Sequence, residues 1–401
     1  MKKTTVYFDN AATTRISGSV IAGIEPYLKE QYGNPSSLYS LGREGERAVA
    51  RSREQVAAAL GCDSREVYFT GGGSESNNWA ISSAVKSWSN QSNRQSKSHI
   101  ITSAFEHHAV LHVCESLDAD ITYLPVYENG VVRVEDLEKA IRPETSLVTV
   151  MYANNEIGTV QPIAEMGDFI ADWNKKYAEK GSSKRCLFHT DAVQAVGNVD
   201  TAVKALKVDM LSLSAHKFHG MKGVGVLYVK KGVKLPPFIL GGAQESNRRA
   251  GTENVAGIVG LGIAVEEAVQ GLESKNAALL KKRGRIYNEV MKIAKTRLNG
   301  DLERRLSNNL NFSFEGIEGE ALLLQLDLKG IAASSGSACT SGSLDPSHVL
   351  LALGLPHETA HGSLRLSMSR YTTDEEVDYL LEQLPPIVER LRAMSPIWHG
   401  S

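Results

Sequence analysis

Between residues 67 and 217 the chain alternates short apolar runs of strand length with segments compatible with helix. The runs are Val67–Thr70, His99–Thr102, Ile121–Leu124, Leu147–Tyr152, Leu187–Thr190 and Met210–Leu213, and helix-compatible stretches begin near Asn77, His107 and Pro162. Such alternation predicts an α/β fold: a mostly parallel central sheet flanked by helices. In sheets of this kind a ligand sits beyond the carboxyl ends of the strands. Here five strand ends in turn carry polar chemistry: TGGGSES, FEHHAV with His107, ANNEIG with Asn155, HTDAVQ with Asp191 and Gln194, and SLSAHK with Ser214, His216 and Lys217.

After about Gly251 the pattern changes. Long helical periodicity runs from Glu253 to about Arg297, strand-like pieces follow at Leu310–Phe314 and Ser363–Met368, and a helix starts at Asp374. Pro385 and Pro386 predict a break or kink in that helix, because neither donates a backbone hydrogen bond. With 401 residues, 42% of them hydrophobic, two unequal domains are expected. The large one takes residues 16–257, and a smaller α+β domain takes 1–15 plus 258–401.

Charge and cysteine usage narrow the class. The net charge is -2 and basic residues are scattered, which argues against broad nucleic-acid binding and attachment to an anionic membrane. No apolar run approaches the ~20 residues of a membrane helix, and MKKTTVYFDNAATT holds no signal-peptide core. Four widely spaced cysteines form no zinc pattern and fit a reducing, cytoplasmic setting. Cys62, Cys114 and Cys186 lie in apolar or helical contexts and read as inert packing residues. Cys339 lies in the polar SSGSACTSGS segment.

Taken singly, each motif has an ordinary reading. Lys217 is a lysine snorkelling from a strand end, Ser74 an N-cap after a flexible turn, and DNAATT and GNPSS plain loops. Together they supply what pyridoxal phosphate demands. Lys217, at a buried strand end, suits a Schiff base with the aldehyde. Glycine-rich TGGGSES opening a helix makes a phosphate cup from Gly73 and Ser74, aided by Ser214 and His216. It lacks the spacings that mark ATP and NAD sites. Asp191 is the anion that keeps a pyridinium protonated, Gln194 donates to the ring hydroxyl oxygen, and His107 stacks on the ring face.

The motifs DNAATT, GNPSS, TGGGSESNN, EHHAV, NNEIGTVQPI, HTDAVQAVG, SLSAHKFHGMKGVG, RRAGTEN, SSGSACTSGS and SLRLSMSRYTT run nearly end to end. They resemble the cysteine desulfurases, of the class V branch of fold-type I pyridoxal phosphate enzymes. The cysteine segment and the ending LRAMSPIW look like the housekeeping iron–sulfur and nitrogen-fixation group. One departure is Gly73–Ser74, where the family often has Ala-Thr; serine keeps the hydroxyl.

The resemblance implies conversion of L-cysteine to L-alanine, with Lys217 moving the α-proton and Cys339 taking the sulfur as a persulfide. A thiol near pKa 8.5 needs help to ionise, and His107 is the group expected to give it. It further implies Arg365 on the substrate carboxylate, Asn155 on ring hydroxyl and substrate, and Asn34 lining the site. Thr252 would reach the phosphate of a neighbouring subunit, hence a homodimer. A sulfur-acceptor protein, such as an iron–sulfur scaffold or a tRNA-thiolation protein, would be the partner. A selenocysteine lyase, a class V aminotransferase and a non-catalytic binding module remain open at this point.

Overall fold

The computed structural model describes residues 5–91, 97–180, 185–335, 346–396 and 398. After a short first strand, β1 (Val6–Tyr7), come the strands of a seven-stranded sheet: β2 (Val67–Thr70), β3 (Ser98–Ser103), β4 (Ala119–Leu124), β5 (Thr145–Thr149), β6 (Leu187–Asp191), β7 (Met210–Ser214) and β8 (Gly225–Val229). Their order is β2-β8-β7-β6-β5-β3-β4. Neighbours from β7 to β4 pair in parallel, while β8 runs against both β7 and β2. Strand β2 therefore points the same way as the parallel set, and its carboxyl end opens on the same edge.

Strands β3, β5, β7 and β8 are buried along their whole length. Residues of a strand covered on both faces must be apolar or have hydrogen-bond partners, which is why these runs show no in-out alternation. His189 in β6 satisfies this rule. Its Nδ1 meets Thr149 Oγ1 at 2.8 Å and its Nε2 meets Ser212 Oγ at 3.0 Å, and burial depresses its pKa to about 3. It is a neutral cross-strand link.

The helix Gly73–Gln91 packs on one face of this sheet. The helix Val255–Val269 packs against Gly18–Lys29 and Ser40–Leu60 and buries most of its residues in the larger core. A boundary at residue 257 would cut this helix, whereas its packing carries it whole into the larger core. Gly271, at φ 64°, then separates it from Leu272–Val290. One periodic run in sequence is thus two helices.

A second core surrounds a three-stranded antiparallel sheet of β9 (Thr296–Leu298), β10 (Asn309–Phe314) and, after β11 (Ile331–Ala332), β12 (Ser363–Ser367), in the order β12-β10-β9. Strand β1 pairs in parallel with β11, and Phe8 is buried in this core, so the N-terminal segment joins the C-terminal part of the chain. The last helix, Asp374–Met394, continues through Pro385 and Pro386. Burial of Leu380, Leu384, Ile387 and Val388 in the second core, with a Thr373/Glu376 capping box, offsets the missing donors. No single described helix is long and apolar enough to cross a membrane.

Candidate active site

The carboxyl edges of β2, β5, β6 and β7 and the segment after β3 surround a cavity of about 390 Å³ between the two cores. Its lining brings together Gly73, Ser74, His107, Asn155, Asp191, Gln194, Ser214, His216, Lys217 and Arg365. Asn34 and Thr252 are exposed and do not line this cavity. Asn34 closes its own turn instead, its Oδ1 accepting from Ser36 N–H at 2.9 Å. Cys339 lies outside the described residues.

Asp191 ends β6 and is 5% exposed. Asn77 Nδ2 donates to its Oδ2 at 2.7 Å and Val193 N–H donates to its Oδ1 at 3.0 Å. No salt bridge reaches Asp191 among the described residues. A buried carboxyl group held rigid in this way can receive a cationic partner. Asn77 Oδ1 is itself buried without a partner among the described residues. Asn77 was not singled out in sequence; its signal is its place three residues after Ser74, on the same side of the helix.

The glycine-rich turn lies beside Asp191. Gly72 has φ 150°, a backbone that residues with a Cβ rarely adopt, and a Cβ on Gly73 would stand 2.6 Å from Val193 Cγ2. Gly72 thus needs a bare backbone, and a Cβ at Gly73 would require Val193 to shift; the first amides of the helix Gly73–Gln91 have no carbonyl behind them to bond. Ser214, at the end of β7, faces the same turn. Amides, the helix pole and two serine hydroxyls make an anion site.

Lys217 follows β7 in a short 3-10 turn, and its Nζ donates to the carbonyl oxygens of Ala11 and Ala12 at 2.7 Å each. DNAATT is therefore no plain loop. Thr14 N–H and Oγ1 both bond His216 O, His216 Nδ1 lies 3.2 Å from Thr13 Oγ1, and Gln194 Nε2 donates to Ala11 O at 2.9 Å. Burial, reinforced by Lys217 and Lys222, lowers the His216 pKa to about 4, so this ring is neutral at pH 7.

His107 caps the helix His108–Ser116, with Ala109 N–H donating to its Nδ1 at 3.1 Å. The neutral ring therefore carries its proton on Nε2. Burial is the main force lowering its pKa, opposed by Asp191 and helped by Lys217. Behind it the fully buried Glu106 accepts from Met151 N–H at 2.9 Å, and burial pushes its pKa up to about 8.

Arg365 comes from β12 in the second core and is 3% exposed. Its Nη2 meets Asp9 Oδ1 at 2.7 Å, its Nη1 donates to Asn155 O at 3.0 Å, and its Nε is buried without a partner among the described residues. Asp9 was quoted in sequence only as part of DNAATT. The pairing spans 356 positions, and nothing local announces it.

Burial pushes the thiols of Cys62 and Cys114 to about 12 and raises that of Cys186 further. None is a thiolate at neutral pH, and none lines the cavity.

The chain matches the family described as Aminotransferase class-V over residues 6–380. It is 53% identical over 395 residues to "Cysteine desulfurase IscS" of Methanosarcina thermophila, covering 98% of this chain and 94% of that protein. Among solved structures, a "NIFS-LIKE PROTEIN" superposes with a TM-score of 0.88 at 38% identity, covering 96% of this chain and all of that one. "SspA in complex with cysteine" superposes with a TM-score of 0.76 at 34% identity, covering 92% of this chain and 99% of that chain.

Proposed function

The chain belongs to the class-V aminotransferase family, and we infer that within it this protein is a pyridoxal phosphate-dependent cysteine desulfurase, converting L-cysteine to L-alanine with transfer of the sulfur. The observation that carries the reading is one cavity holding a lysine amine, a buried carboxylate without a cation and a buried arginine. The residues fit the cofactor. Asp191 would hold the ring nitrogen, the turn at Gly72–Ser74 with Ser214 and His216 the phosphate, Gln194 and Asn155 the ring hydroxyl, and Lys217 the aldehyde. When bound, pyridoxal phosphate supplies an electron sink for charge developing at the substrate α-carbon.

The chain's own groups supply the rest. Asp191, oriented by Asn77, would pair with the ring nitrogen and favour its protonated form. Lys217 would hold the aldehyde and serve as the base that carries the substrate α-proton. Arg365 takes the substrate carboxylate, for which its unpartnered Nε is an available donor. Cys339, as thiolate, would attack the substrate sulfur; the carbon–sulfur bond breaks with its electron pair left on the β-carbon, which takes up a proton, so that a persulfide forms on Cys339 and alanine leaves. His107 would stack on the ring and, with Nδ1 committed to Ala109, carries its proton on Nε2, which favours thiolate over thiol when directed at sulfur.

The sulfur then passes to an acceptor protein, an iron–sulfur scaffold or a tRNA-thiolation protein. The working unit is a homodimer in which Thr252 reaches the partner's phosphate site, and the location is cytoplasmic. Support for the dimer comes from apolar side chains left exposed beside Asn34 and ahead of Thr252: Tyr32 at 74%, Leu38 at 90% and Leu240 at 83%.

The test is turnover. Loaded with cofactor and given L-cysteine and a reductant, the protein should release alanine and sulfide in equal amounts. The Cys339→Ser variant should bind cofactor and still change its visible spectrum with L-cysteine, yet release neither. Alanine from that variant at near wild-type rate would replace this reading with an aminotransferase or lyase.

A further inference from the structure

The glycine turn that opens the helix Gly73–Gln91 carries an unexpected charge. Glu75, in the first turn of the helix, places Oε2 2.9 Å from the N–H of Gly71. A carboxylate at a helix N-terminus is favourable in isolation, but beside a phosphate it is a second anion at one positive pole. Arg249 answers it from 174 positions away: Nε donates to Glu75 Oε1 at 2.8 Å and Nη2 to Oε2 at 3.2 Å. Neither side chain lines the cavity.

The segment before Arg249 is strained. Glu245, Ser246 and Asn247 have φ of 47°, 58° and 63°, three successive left-handed residues without a glycine. L-residues with a Cβ avoid this region, so the turn needs compensation. Glu245 is 9% exposed and forms a two-pronged pair with Arg53, Nη1 to Oε2 at 2.8 Å and Nη2 to Oε1 at 2.6 Å. It also accepts from Phe69 N–H at 3.0 Å. Phe69 belongs to β2, the strand that runs directly into the glycine turn. The strained turn is therefore pinned to the element that makes the cup, which fixes where Arg249 begins.

We propose that Arg249 is a positioning residue of the phosphate cup, acting through Glu75: it cancels the charge of the carboxylate that touches the glycine turn, so that a phosphate dianion meets the helix pole without a competing anion. The Glu245–Arg53 pair holds the turn that delivers it. This rests on the reading of Gly72–Ser74 as the site of the cofactor phosphate.

The experiment titrates apoprotein with pyridoxal phosphate and, separately, with pyridoxal, which lacks the phosphate. Arg249→Gln should weaken pyridoxal phosphate binding roughly tenfold and change pyridoxal binding by less than about twofold, as expected for one uncompensated charge near a dianion. The double variant Arg249→Gln with Glu75→Gln should return to within about threefold of wild type, because removing the carboxylate removes what Arg249 offsets. An unchanged preference in Arg249→Gln, or a double variant as weak as the single one, overturns the proposal. Should Arg249→Gln not fold, Arg249→Lys decides: it keeps the charge and should keep the preference within about threefold of wild type. A tenfold loss there overturns the electrostatic account. Ser74→Ala tests the underlying reading separately. If its preference for pyridoxal phosphate over pyridoxal equals that of wild type, the cup itself is misplaced, whatever Arg249 does.

Discussion

The two ends of the cavity are built differently. At the cofactor end Asp191, Ser214, Lys217 and the glycine turn all follow strands of one sheet, so hydrogen-bonded neighbours fix their mutual positions. At the substrate end Arg365 comes from the second core, Asn155 from the segment after β5, and Asp9 from the N-terminal turn. The first end is set by sheet register and the second by how two cores meet. The contrast extends to charge: among the described residues Asp191 has no salt-bridge partner, whereas Arg365 pairs with Asp9. On the proposed reading, the cofactor would bring a cation to Asp191, and a substrate carboxylate would share or replace Asp9 on Arg365.

Losses at the cofactor end should therefore fall on turnover itself, and losses at the substrate end mainly on KM. The largest effect is expected for Lys217→Ala, which should lose alanine formation by roughly a thousandfold or more, since no other lysine among the described residues lines the cavity. Borohydride reduction of wild type should fix the cofactor on Lys217; mapping of the adduct to another residue would refute the assignment. Asp191→Ala should still bind cofactor but turn over at least about tenfold more slowly, ~1.4 kcal/mol of barrier. A smaller loss would mean that Asp191 does not hold the ring nitrogen.

Arg365→Lys probes the other end. The ammonium keeps the charge but loses the fork that serves Asp9, Asn155 O and substrate together, so KM for L-cysteine should rise roughly tenfold while kcat falls less. A fall in kcat with unchanged KM would place Arg365 at the wrong end of the cavity.

The smallest effect is on apoprotein stability against acid. His216, at the cofactor end, and His219, against the N-terminal turn, have pKa values lowered to about 4 by burial, and that of His189 is lowered to about 3. Unfolded, each titrates near 6.5. Between these values the unfolded chain binds more protons, so their contribution is complete above about pH 6.5 and is lost as pH falls toward 4. Urea midpoints should drop from pH 7 to pH 5, and replacing His189 by Gln should reduce that drop. An undiminished drop would leave its source elsewhere.

The cofactor end was legible in sequence because a strand end is a local signal: an apolar run followed within a few residues by Asp, Lys or glycines. What was not legible is long-range or conformational. Asp9 meets Arg365 only because β1 joins the second core, and Asn77 matters only once its helix packs over β6. The antiparallel strand β8, absent from the sequence reading, places the glycine turn of β2 on the same edge as the parallel set. Pro385 and Pro386 mark two missing donors truly, yet packing of the helix face outweighs them. Thr252 is exposed in the single chain, where a role at a partner's site would leave it, whereas Asn34, expected to line the site, lies outside the cavity because its side chain closes its own turn.

The central claim is that sulfur leaves substrate for one protein thiol. Wild-type protein loaded with cofactor should be exposed briefly to L-cysteine without reductant, alkylated, and its cysteine peptides weighed. The account predicts one added sulfur atom on the peptide carrying Cys339 and none on those carrying Cys62, Cys114 or Cys186, whose thiols burial keeps protonated. Alanine formed with no sulfur on Cys339, or sulfur on one of the other three, would contradict it.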